Sequence, residues 1–154
     1  MPMLDAYIPE GALAPEAESQ LLSDLTDILL RHEGADPSHP VSRSLAWVFL
    51  HRPEAVYAAG ELAQEPRYRF VASVPEGQFD DERRAAIVDA ITTAVLDAEQ
   101  GTFSREPMRV WVFAHEIPDG QWGAGGEIFR LEDIVTLVIG DRETASQYAQ
   151  ARLG

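Results

Sequence analysis

Pro2 is the residue of this chain with the most specific chemical potential, because it follows the initiator methionine directly. A small second residue permits removal of Met1, which would leave Pro2 as a secondary amine at the head of the chain. Only at a terminus can proline act as base, acid or nucleophile; elsewhere its nitrogen is an amide. The chain has no cysteine, and all 12 of its basic residues are arginine, so an amine-based mechanism would have to use the amino terminus.

The other residues able to take part are arginines and aromatic side chains. The formal net charge is −14, so an anionic small molecule would need a local cluster of arginines to overcome the field of the whole protein. Arg67, Arg69, Arg105, Arg109 and Arg130 are the candidates, with Trp111 and Trp122 as aromatic walls. His51 and His115 lack acidic or cysteine partners at ligand spacing, so no metal site is expected. No Ser-His-Asp order, phosphate loop or deaminase signature is present.

These residues are carried by an internal repeat. Pro9-Glu10-Gly11 recurs as Pro75-Glu76-Gly77, Trp47-Val48-Phe49-Leu50-His51 as Trp111-Val112-Phe113-Ala114-His115, and Ala58-Ala59-Gly60-Glu61 as Ala124-Gly125-Gly126-Glu127. Each copy opens on a strand and runs through a helix into a second strand. The helices are expected over Pro15 to His32, with Leu21, Leu25, Ile28 and Leu29 on one face and Gly34 as the stop, and over Asp80 to Glu99, with Ile87, Ile91 and Val95. Two right-handed βαβ units can share one four-stranded sheet with both helices on one face and an antiparallel junction at its centre. This α+β reading makes residues 1–154 a single domain, with repeats over about 2–66 and 67–139 and a carboxy-terminal segment, 140–154. Leu131 to Ile139 reads as a short strand or helical turn, and Asp141 to Leu153 as a terminal helix.

Strand alternation leaves Trp47, Phe49, Trp111 and Phe113 on the face that the helices do not cover, which predicts oligomerisation. With 154 residues, 45% of them hydrophobic, the chain can bury a sizeable core. A strongly acidic chain is a poor partner for nucleic acid. The absence of a basic leader or a long apolar run reads as a cytoplasmic protein with no membrane segment.

With these motifs in place, the chain resembles the tautomerase superfamily, and specifically two fused copies of the short subunit of 4-oxalocrotonate tautomerase. The resemblance rests on Pro2, on Ile8-Pro9-Glu10-Gly11, and on Val110-Trp111-Val112-Phe113 through Glu116, Gly120, Trp122, Gly123, Gly125, Gly126 and Glu127. It implies a homotrimer and a pocket built around the amino-terminal proline, with neither metal nor cofactor. There burial would lower the amine's pKa, Pro2 would move a proton between oxygen and carbon, and an arginine would hold the substrate carboxylate.

The chain also departs from the family. The arginine that follows Glu-Gly at the first strand's exit is replaced by Ala12 in one repeat and Gln78 in the other, and the place of a second family arginine falls on Trp111. Arg109, two residues earlier on the same strand face, is the expected anchor, and Trp122 matches the family's pocket aromatic. The reading is a cofactor-independent tautomerase of a small 2-oxo or 2-hydroxy enoic acid, with Pro2 and Arg109 as the catalytic pair. Trp122, Trp111, Arg105, Arg69 and Arg130 are the substrate-binding candidates. The alternatives are a hydratase or dehalogenase using protonated Pro2, or a ligand-binding trimer without turnover.

Overall fold

In the computed structural model, which describes residues 1–154, strand alternation sorts the side chains of a four-stranded sheet to two unlike faces. β1 (Met3–Tyr7) pairs in parallel with β2 (Trp47–His51), β5 (Tyr68–Pro75) pairs in parallel with β6 (Val110–Ile117), and β1 and β5 meet antiparallel, giving the order β2-β1-β5-β6. Leu4, Ala6 and Ile8 from the first repeat and Phe70, Ala72 and Val74 from the second all turn to one side and are fully buried.

That side is covered by α1 (Pro15–Glu33) and α3 (Asp81–Ala98). Leu21, Leu25 and Leu29 on α1 and Ile87, Ile91 and Val95 on α3 recur at helical spacing and join the strand residues in one core. α1 starts on Pro15 and ends at Gly34, whose φ of 92° is open to glycine without steric cost. The Asp80 side chain accepts the Arg83 N–H at 2.8 Å, so the expected acidic first turn of α3 is preceded by an N-cap. A short helix that the sequence pattern did not announce, α2 (Pro40–Ser44), leads into β2.

The other face is open. Trp47, Phe49, Trp111 and Phe113 remain 61%, 43%, 56% and 43% exposed. Between them Tyr7 stacks on His51 at 4.3 Å, His51 Nε2 lies 2.6 Å from Asp5 Oδ1, and the Arg69 guanidinium sits 4.1 Å over the Tyr7 ring. His51 is thus held in a structural hydrogen bond.

Each repeat ends in a small hairpin, β3 (Tyr57–Ala58) with β4 (Glu61–Leu62), and β7 (Trp122–Ala124) with β8 (Glu127–Phe129). Leu131–Ile139 is a helix, α4, and pairs with α5 (Arg142–Leu153) across a turn at Gly140. α5 comes so close to Gly77 that a Cβ there would lie 2.9 Å from the Arg152 Cβ, and Gly77 also has a φ of 84°. No helix is long and apolar enough to cross a membrane.

Candidate active site

Pro2 is buried immediately ahead of β1, its carbonyl accepting the Trp47 N–H at 3.2 Å. It forms part of a cleft of about 600 Å³ whose walls come from both repeats: Trp47 and Phe49 from β2, Ser73 from β5, and Trp122 to Gly125 from the second hairpin. The β7–β8 hairpin thus carries Trp122 to the cleft beside the amino terminus. The lining is mostly apolar, with Ser73 and Gln121 as polar groups and no arginine.

Behind Pro2 lies a second cavity, of about 240 Å³, separated from the cleft by Met1 and Leu45, which line both. The Met1 amine stands 3.6 Å from Glu33 Oε1 at the end of α1. Burial holds this amine below its ordinary value, and the Glu33 carboxylate only partly offsets that. Burial likewise pushes the Glu33 carboxyl up, against the pull of the amine. The roof is apolar, with Leu131, Ile134 and Val138 of α4 facing inward. Glu33, Ser42 and Gln78 were not singled out in the sequence. The available signal was Glu33 itself, a carboxylate in the last turn of a helix, where the macrodipole disfavours negative charge.

Arg109 does not reach the Pro2 cleft within this chain. Tyr68 pairs with Val110 and Met3 with Ser73, so Arg109 and Pro2 lie at opposite ends of the sheet, roughly 20 Å apart at about 3.3 Å per strand residue. Its guanidinium is also held within the chain through both Nη atoms, while Nε has no hydrogen-bond partner. It is 1% exposed, donates to Glu99 Oε1 and Oε2 at 2.7 and 2.6 Å and to the Pro66 carbonyl at 3.0 Å, and lies 3.6 Å from Glu65. The Tyr68 hydroxyl donates to the same Glu99 oxygen at 2.8 Å, and burial pushes this phenol's pKa up.

Trp111, Arg69 and Arg109 line a different cleft, of about 720 Å³, together with Tyr7, Tyr57, Arg67 and Tyr68. This cleft is the counterpart of the Pro2 cleft in the other repeat: Tyr68 takes the place of Pro2, and the first hairpin that of the second. Arg105 projects into solvent and pairs with Asp97 at 2.5 Å, lining neither cleft. Arg130 precedes α4, pairs with Asp119 at 2.8 Å, and packs behind the hairpin wall, where its guanidinium covers Gly120. Of the residues expected at the site, the fold brings Pro2 and Trp122 to one cleft and Arg69, Arg109 and Trp111 to the other.

A family model described as Tautomerase enzyme matches residues 72–132. No curated protein matches in sequence. Among solved structures, a fused 4-OT described as a wild-type symmetric trimer shares 22% identity with a TM-score of 0.62, covering 83% of this chain and 94% of its own. Pt0534, crystallised after inactivation by 2-oxo-3-pentynoate, shares 23% identity with a TM-score of 0.66, covering 82% of this chain and 94% of its own. N1, a member of the cis-3-chloroacrylic acid dehalogenase family, shares 18% identity with a TM-score of 0.68, covering 94% of this chain and 99% of its own. The fold is that of the tautomerase superfamily, in the tandem form of the fused 4-OT proteins.

Proposed function

We propose that this chain, processed to begin at Pro2, is a cofactor-independent keto–enol tautomerase of small 2-oxo or 2-hydroxy enoic acids, with the Pro2 nitrogen as general base. The observation that carries the reading is the placement of Pro2, buried in an apolar cleft whose far wall is Trp122. A secondary amine in water is protonated at neutral pH and cannot accept a proton. In this cleft burial disfavours the charged form, as it already does for the amine of Met1 one residue away. The amine can then take the enol proton while Trp47, Phe49 and Trp122 exclude water around the reacting carbons.

The cleft has no cation of its own, so the substrate carboxylate is held across a subunit boundary. The open aromatic face and the unpaired edges of β2 and β6 support a homotrimer, the assembly stated for one fused 4-OT relative. Arg67 and Arg69 line the counterpart cleft and enter no ion pair within the chain, which makes them the anchors available from a neighbouring subunit.

The test has two parts. Intact mass should show the chain beginning at Pro2, and retained Met1 in active material would end the mechanism. Ketonisation of phenylenolpyruvate at neutral pH should fall by about 10²- to 10⁴-fold in Pro2→Ala, the usual size of a general-base contribution. Equal turnover by the variant would exclude the proline mechanism, and no turnover by the unaltered protein would favour a binding role.

A further inference from the structure

Of the four buried side-chain polar atoms in this protein that have no hydrogen-bond partner, three belong to residues lining the cavity behind Pro2: Glu33 Oε2, Ser42 Oγ and Gln78 Nε2. These residues are 9%, 3% and 5% exposed. Leaving such groups buried and unpaired is destabilising, so an apolar trio would be the more stable choice if the cavity served only to pack α4 against α1. The three come from separate elements, the end of α1, the short α2 and the exit of β5, and meet only in the folded chain. Met1 stands between them and the Pro2 cleft and supplies the sole partner of the Glu33 carboxyl.

We infer that Glu33 is the acid that works opposite Pro2: loss of Met1 joins the two cavities into one site in which the Glu33 carboxyl and the Pro2 amine face each other and share a single proton. The inference rests on the proposed proline mechanism. Consecutive residues are about 3.8 Å apart, so the new amine terminus lies within one residue of the group that Glu33 now contacts. With Met1 in place, burial disfavours both its ammonium and the Glu33 carboxylate, and the same apolar surroundings would favour a neutral Pro2 amine beside a neutral acid once Met1 is lost. The other charged or titratable groups close by are few. Tyr148 on α5 donates its hydroxyl to Gln78 Oε1 at 2.9 Å, and Arg83 on α3 lies over Gly34 and donates to the Gln78 carbonyl at 2.9 Å.

The pair completes the reaction without a cofactor. The Pro2 nitrogen takes the enol O–H proton, the oxygen lone pair forms the C=O bond, and the C=C electrons take the Glu33 proton to make the new C–H bond. Prolyl ammonium and carboxylate remain, and one proton passed from nitrogen to oxygen restores the starting pair. Gln78 Nε2 and Ser42 Oγ are left as donors for the substrate oxygen where negative charge develops.

The singly protonated pair is the active form, so kcat should follow a bell-shaped pH profile with two apparent pKa values belonging to the pair. Glu33→Gln keeps the shape and removes the acid. It should lower kcat by about 10²-fold and leave only the acidic limb, while thermal unfolding shows a folded protein. NMR titration of ¹⁵N-labelled Pro2 gives a readout that needs no substrate: two coupled steps in the unaltered protein, one in Glu33→Gln. A bell retained in Glu33→Gln, or a Pro2 titration that the substitution leaves unchanged, would overturn the inference. If Pro2→Ala abolishes turnover and Glu33→Gln does not, Glu33 is excluded and the proline mechanism stands. If neither matters, the proline mechanism itself fails.

Discussion

Arg109 and Glu99 form a buried, two-pronged ion pair, Nη1 to Oε1 at 2.7 Å and Nη2 to Oε2 at 2.6 Å, that ties the end of α3 to the start of β6. The Nη1–Nη2 edge of this guanidinium is occupied by Glu99 and is not free to take a substrate carboxylate. Arg109→Ala should therefore act on stability: removing one partner of a buried pair leaves the other charge uncompensated, at a cost of about 3–5 kcal/mol. Urea unfolding measures this loss, and the double variant Arg109→Ala, Glu99→Ala should recover part of it. A stable Arg109→Ala with a raised Michaelis constant would instead return Arg109 to the substrate.

Glu33 makes stability depend on pH in a direction opposite to that of most carboxylates. Its folded-state pKa is raised above the ordinary 4.5, chiefly by burial, so between these two values the folded chain binds more protons than the unfolded one. Stability then falls as pH rises through that window and stays low above it. Glu33→Gln removes the penalty, so the variant should melt at a higher temperature than the unaltered protein at neutral pH, and the advantage should vanish below about pH 4.5, where Glu33 is protonated in both states. Melting curves across pH test this, and a Glu33→Gln protein less stable at neutral pH would contradict it.

The open face of the sheet makes assembly sensitive to one buried charge. Phe113 is 43% exposed in the single chain and stands midway along β6, an edge strand of the sheet. Phe113→Asp would bring a carboxylate into a subunit interface without disturbing the helix-side core, and light scattering should show a trimer for the unaltered protein and a monomer for the variant. Activity should fall with the trimer if, as proposed, the substrate anchor comes from the neighbouring chain. A fully active monomer would place every functional group within one chain.

Much of this fold can be read from consecutive residues, because local periodicity is a local property. The spacing of Leu21, Leu25 and Leu29, the Pro15 and Gly34 boundaries, and the alternation through Trp47-Val48-Phe49 each specify an element and its buried face before any tertiary contact is known. The duplicated Pro-Glu-Gly and Trp-Val-Phe motifs then pair these elements into two like units, and Pro2 stands out because its chemistry depends only on its position in the chain. What the sequence could not decide is which residues share an end of the sheet. Because β1 and β5 meet antiparallel, the start of β6 lies beside the end of β1, so Arg109 falls away from Pro2 although both open a strand of their own repeat. The same closure brings Glu33, Ser42 and Gln78 from three separate elements under α4, and convergence of that kind follows from the crossing of the chain in space, which no spacing along it records.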